Sequence, residues 1–137
     1  MTKRVLIITP TYNEQDNLPM FVESLHQVMP HAEVLIVDDA SPDGTGALAE
    51  RMAAKDARMH VLHRAGKLGI GSAYVEGFRW ALVRDYDIVC QMDTDLSHDP
   101  KHLPAFVLAI EQGADIVLGS RNIHGGRVEG WGLGRHL

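Results

Sequence analysis

The chain has 137 residues, 45% of them hydrophobic and 23% charged, the composition of one globular domain and too apolar for a disordered chain. With 13 Lys and Arg against 18 Asp and Glu the net charge is −5, which argues against a nucleic-acid partner. The lone cysteine, Cys90, lies in an apolar run; it excludes a disulfide framework or Cys-rich metal site and reads as a small buried hydrophobe.

The first apolar run, Arg4–Thr9, is short and rich in β-branched residues, and Val5–Ile8 is too short for a signal-peptide core. Leu18, Phe21, Val22, Leu25 and Val28 then repeat at helical spacing. Glu33–Val37 is a second apolar run, followed by a short alanine-rich helix over Thr45–Ala54. His60–Leu62 is a weaker strand. Tyr74, Val75, Phe78, Ala81 and Leu82 predict the next helix, Asp87–Met92 the next strand, Leu103, Phe106, Val107 and Ile110 a helix, and Ala114–Leu118 a fifth strand. Strands apolar on both faces, alternating with helices, predict an α/β/α sandwich with a mostly parallel central sheet and right-handed crossovers. No window approaches the roughly 20 apolar residues that span a bilayer, so the default location is the cytoplasm. From Gly119 the sequence turns to glycine and arginine and stops at Leu137, the pattern expected of a fragment.

In such sheets ligands bind outside the carboxyl ends of the strands. The segments that follow the predicted strands are Pro10-Thr11-Tyr12-Asn13-Glu14, Asp38 to Thr45, Arg64 to Gly69, Asp93 to Pro100, and Gly119 to Asn122. Polar, acidic and glycine-rich clusters thus gather on one predicted edge. Asp93 and Asp95 flank Thr94 at a strand end, where both carboxylates can turn toward one Mg²⁺ or Mn²⁺; solvated loop acids are the plain alternative. Ser97, His98 and Asp99 follow and could brace such a site. His98 and His102 have zinc-like spacing, but Pro100 between them should begin a helix and separate their faces. Asp38 and Asp39 are adjacent carboxylates that need donors, either a nucleoside or the turn itself. Gly44 to Ala49 matches G-x-G-x-x-A, yet its first glycine lies six residues past the strand, which speaks against a dinucleotide site. Gly66-Lys67 lacks the spacing of a P-loop. Arg64, Lys67 and Arg121 bring cations to the same edge, as phosphate ligands or as surface residues.

Together these clusters resemble the family 2 glycosyltransferases of GT-A, Rossmann-like fold. Pro10-Thr11-Tyr12-Asn13-Glu14, Asp38-Asp39 and Asp93-Thr94-Asp95 are marks of that family. The strings Val37–Gly46, Met92–Pro100, Gly119–Asn122 and Val128–Arg135 look like dolichol- or polyprenol-phosphate mannosyltransferases. The resemblance implies a nucleotide-sugar-binding core over residues 1–122. Residues 123–137 would begin a mobile acceptor-side loop, the rest of the domain lying beyond the chain.

The implied reaction moves mannose from GDP-mannose to a polyprenol or dolichol phosphate at the cytoplasmic face of a membrane, with inversion. Asp93 and Asp95, with Ser97 where some relatives carry glutamine, would hold Mg²⁺ or Mn²⁺. Asp95 and Arg121 would be catalytic. Pro10, Tyr12, Glu14, Asp38, Asp39, Lys67, Asp93, Thr94, Asp95 and Arg121 would bind the nucleotide sugar. A cation about 4 Å from the departing diphosphate contributes about 4 kcal/mol at an effective dielectric of 20. The acceptor phosphate is already ionised and needs no strong general base. Residues 120–137 hold three arginines and one glutamate, a local +2 that would favour anionic headgroups or a solvated tail. The resemblance further implies a membrane-anchoring partner subunit or a further C-terminal segment. A polyprenol-phosphate glucosyltransferase using a UDP-sugar, and an inactive nucleotide-binding fragment, are the alternatives.

Overall fold

The computed structural model describes residues 3–95, 100–111, 116–119 and 128–131. Strand β1 (Val5–Thr11) leads to helix α1 (Leu18–Val28), β2 (Glu33–Asp38), α2 (Thr45–Lys55), β3 (Met59–His63), α3 (Ile70–Leu82) and β4 (Ile88–Gln91). A short turn of 3-10 helix at Pro100–His102 opens α4 (Leu103–Glu111), which precedes β5 (Ile116–Gly119) and β6 (Val128–Trp131).

Four strands form a parallel sheet in the order β3-β2-β1-β4. Because strand side chains alternate between faces, β1 serves two cores. Val5 and Ile7 point into one, with Val34 and Ile36 of β2 and with Leu18, Phe21 and Leu25 of α1, Ala49 of α2 and Leu103 of α4. Leu6 and Ile8 point into the other, with Leu35 and Val37 and with Ala73 and Ala81 of α3. The α/β/α sandwich and the mostly parallel sheet are therefore as the alternation predicts. Cys90 packs half-buried against the first core, and burial pushes its thiol up to about 11, so it is un-ionised at neutral pH.

Pro10 lies inside the central strand, where a missing N–H would ordinarily break a ladder. It is tolerated because β4 has ended there. Pairing with β4 runs only from Val5 to Ile8 of β1, with Met92 N–H closing on the Ile8 carbonyl, whereas pairing with β2 continues to Thr11. The Pro10 carbonyl, on the β4 side, instead accepts the Thr94 hydroxyl at 3.1 Å.

Two expectations need correction. The fifth strand does not join the parallel sheet; β5 pairs antiparallel with β6, Gly119 opposite Val128. A partner nine to fifteen positions downstream is paired at lower entropic cost than a remote sheet edge. The second correction concerns α3. Its buried line is Ala73, Gly77 and Ala81, with Tyr74 half-buried, while Val75, Phe78 and Leu82 are exposed. Small residues win that face because the helix sits close on β1: a Cβ on Gly77 would stand 2.6 Å from Ile8 Cγ2. Likewise Gly46, read from sequence as part of a weak dinucleotide pattern, lets α2 approach the strand tips; its Cβ would lie 2.9 Å from Asp38 Oδ2.

The α3 contact sets a test. Gly77→Ala should lower stability in urea by about 1–3 kcal/mol through overpacking against Ile8. Gly71→Ala, where an added methyl meets nothing within 4 Å, should leave stability unchanged or slightly higher.

Candidate active site at the strand tips

The sheet order sets the carboxyl-terminal loops in a row: the β3 loop with Arg64 and Lys67, the β2 tip with Asp38 and Asp39, the β1 end with Thr11 and Tyr12, and the β4 tip with Asp93 and Asp95. Neighbouring strands lie about 4.8 Å apart, so the row is about 14 Å long.

At the β2 tip both carboxylates find donors within the protein. Asp38 Oδ1 accepts the hydroxyls of Thr11 at 2.7 Å and Ser41 at 2.6 Å, and Oδ2 accepts the Ser41 amide at 3.1 Å. Asp39 accepts Arg64 in a two-pronged pair, Nε to Oδ1 at 2.6 Å and Nη2 to Oδ2 at 2.8 Å, and Oδ2 also accepts the amides of Leu68 and Gly69. Arg64 reaches further, to the Ser72 hydroxyl and the Gly69 carbonyl. Its side chain is 1% exposed, so it is a structural cation and not the phosphate ligand that its place in the sequence suggested. Burial alone would raise the Asp39 carboxyl. The Arg64 pair and the two amides outweigh burial and hold it below the usual carboxylate value.

A second set of bonds joins the β1 loop to the start of α2. Asn13 adopts a left-handed φ of +57°, as does Ala40 beside Asp39 at +53°. The Asn13 amide donates to Ser41 Oγ, the Glu14 amide to Thr45 Oγ1, and the Gln15 amide to Asp43 Oδ2. Glu14 itself accepts the Asn17 side-chain amide at 2.8 Å. Asp43 accepts from Thr45 N–H and Oγ1, and α2 begins at Thr45. Lys67 Nζ stands 4.5 Å over the Tyr12 ring, linking the β3 loop to the β1 loop.

At the β4 tip Thr94 is buried and pinned. Its hydroxyl donates to the Pro10 carbonyl, so the 2.6 Å contact with Thr9 Oγ1 is made by the Thr9 proton. Asp93 is half-buried and accepts Tyr74 O–H at 2.9 Å, while Asp95 is exposed. Burial raises the Tyr74 phenol strongly, and the neighbouring negative charge of Asp93, with that of Asp95, raises it further. Asp93 and Asp95 stand two residues apart at the same strand tip, the placement that two ligands of a single ion require.

Pro10, Tyr12, Glu14, Asp38, Asp39, Lys67, Asp93, Thr94 and Asp95 thus share one edge. Ser97, His98, Asp99, Arg121 and Asn122 lie outside the described residues, as do residues 120–127 and 132–137 of the glycine-rich stretch. The pattern reading missed two organising residues. Arg64 was visible as a cation, but its partner was not. Tyr74 was counted toward an apolar face, although a hydroxyl near the start of the helix after a glycine-rich loop was a usable signal.

Removing one half of a buried pair strands the other. Arg64→Ala should therefore cost about 3–5 kcal/mol in urea unfolding, more than an exposed arginine would. The Asp39 carboxyl titrates lower in the folded chain than in the unfolded one, so its contribution is present at neutral pH and lost as pH falls below about 4. The urea midpoint should drop from pH 7 to pH 3, and the drop should be smaller in Asp39→Asn.

The profile of glycosyl transferase family 2 matches residues 6–137. A polyprenol monophosphomannose synthase of Mycolicibacterium smegmatis is 49% identical over 131 residues, 95% of this chain and 49% of that protein. An undecaprenyl-phosphate mannosyltransferase of Micrococcus luteus is 49% identical over 134 residues, 98% of this chain and 55% of that protein. The chain thus spans about half the length of the curated relatives it matches. Among solved structures, a mannosyltransferase of Pyrobaculum calidifontis in complex with GDP-Man and Mn²⁺ superposes with a TM-score of 0.66 at 25% identity, covering 87% of this chain and 34% of that one. With a family profile that runs from β1 to the last residue, the chain belongs to glycosyl transferase family 2.

Proposed function

We propose that this chain is the donor-binding portion of an enzyme that transfers mannose from GDP-mannose to the phosphate of a polyprenol, with inversion at the anomeric carbon. Residues 1–122 are the nucleotide-sugar core, and residues 123–137 begin the acceptor side. The observation that carries the reading is the row of strand tips: a braced loop cluster at one end and two carboxylates, Asp93 and Asp95, at the tip of β4 at the other. The names of the relatives, a polyprenol monophosphomannose synthase and an undecaprenyl-phosphate mannosyltransferase, support mannose and a polyprenol phosphate in particular.

In this reading the nucleoside lies toward β2 and β3, and the diphosphate toward β4. Pro10, Tyr12 and Glu14 line the nucleoside from β1, and Lys67 closes on it from the β3 loop. Asp38 and Asp39 act chiefly through the loops they tie down, because their oxygens already serve Thr11, Ser41, Arg64 and two backbone amides. Asp93 and Asp95 would hold Mg²⁺ or Mn²⁺, with Ser97 as a further ligand and the remaining positions left to water and phosphate oxygens. When bound, such an ion neutralises charge that develops on the departing diphosphate. Arg121 would add a second positive charge there, and Thr94 keeps the tip rigid through its two bonds to β1. The acceptor phosphate is ionised at neutral pH, so no side chain has to remove a proton from it.

In this reading the enzyme works at the cytoplasmic face of a membrane, where a lipid acceptor would reach it. No helix among the described residues is long and apolar enough to cross a membrane, so attachment would come from the surface, from a partner subunit or from a further segment.

Calorimetry with GDP, with and without Mn²⁺, tests the assignment. Asp93→Ala and Asp95→Ala should each abolish the Mn²⁺-dependent part of GDP binding and leave the far-UV spectrum unchanged. Wild-type affinity in both variants would exclude these carboxylates as metal ligands. With the same chain, GDP-mannose should bind more tightly than UDP-glucose; the reverse order would overturn the donor assignment.

A further inference from the structure

We infer that Tyr74 is a positioning residue for the metal-binding acid Asp93, held in place by the close approach of α3 to β1; this rests on the reading of Asp93 and Asp95 as metal ligands. Nothing about the reaction requires a tyrosine on that helix. What points to the role is how the hydroxyl comes to be where it is.

A carboxylate at a strand tip has two soft torsions and can turn its oxygens in several directions. A long-range bond restrains Asp93, Tyr74 O–H to Oδ1 at 2.9 Å, from a residue 19 positions earlier on helix α3. The preceding residues of the tip are fixed too: Met92 is buried and its amide closes on Ile8. On the following side, Thr94 is bonded to Thr9 and Pro10. Backbone and side chain are therefore set by two different layers, the backbone by β1 and the carboxylate by α3.

The reach of Tyr74 depends on the packing of its neighbours. Ala73 is fully buried, and Gly77 presents no Cβ to Ile8, so the helix axis lies closer to the sheet than an ordinary residue at 77 would permit. A phenol has one proton to donate, and here Asp93 receives it. A ligand whose orientation is set before the ion arrives loses less freedom on binding it.

The test is Tyr74→Phe, which removes the proton and keeps the ring. Mn²⁺ binding is read by electron paramagnetic resonance at saturating GDP, and GDP binding is read separately by calorimetry without metal. The variant should bind Mn²⁺ roughly 10-fold more weakly, the low end of losses seen when a group that orients a metal ligand is removed. Its metal-free GDP affinity and circular dichroism should match wild type. Unchanged Mn²⁺ affinity in Tyr74→Phe, with Mn²⁺ binding lost in Asp93→Ala, would overturn the positioning role and leave the metal assignment standing. Mn²⁺ binding retained in Asp93→Ala would overturn both. An equal fall in metal-free GDP affinity would also overturn it, since Tyr74 would then support the whole pocket and not the ion.

Discussion

The buried pair between Asp39 and Arg64 is the interaction on which the candidate site depends. Two charges taken from water are costly unless each finds several partners. Here the carboxylate takes both prongs of the guanidinium and two amides, and the guanidinium reaches Ser72 and a carbonyl as well. One ion pair thus joins the end of β2, the loop after β3 and the first turn of α3. Tyr74 begins the next turn of the same helix, so the β2–β3 end and the acidic end of the row share a common support.

The same logic of spending polar groups on loops recurs at Asp38, Asp43, Thr45 and Thr94. Loops that carry function have exposed backbone and little hydrophobic burial to hold them. In this chain they are held by short side chains that accept or donate two or three bonds each. Left-handed Asn13 and Ala40 fit the pattern, because a non-glycine residue keeps such a conformation only where its surroundings fix it. Conformational freedom is removed before a ligand arrives, which lowers the entropic cost of binding at these loops.

Much of the fold was legible in the chain. Apolar runs of three to six residues with helices between them leave few arrangements besides a parallel sheet covered on both faces. The edge that carries the site followed from the same pattern, since each polar cluster comes directly after a strand. Less legible was pairing. The run at 114–118 reads like the other strands, and only the presence of β6 within a short loop distance turns it into an antiparallel partner. Helix α3 misled for a related reason: hydrophobicity marked Val75, Phe78 and Leu82, whereas the contact was decided by how near the helix could come.

By itself the sequence determined which residue types stand at the strand tips: the Asp38-Asp39 pair, the Asp93-Thr94-Asp95 triplet, Tyr12, and the cations Arg64 and Lys67. It determined them because hydrophobic periodicity is local and survives any rearrangement of the elements. Tertiary structure alone decided what each polar group does. Arg64 lies 25 positions from Asp39 and Tyr74 lies 19 from Asp93, separations at which no spacing rule operates. A buried charge must be neutralised by whatever the fold brings beside it, and the identity of that neighbour is a property of the packed sheet and helices.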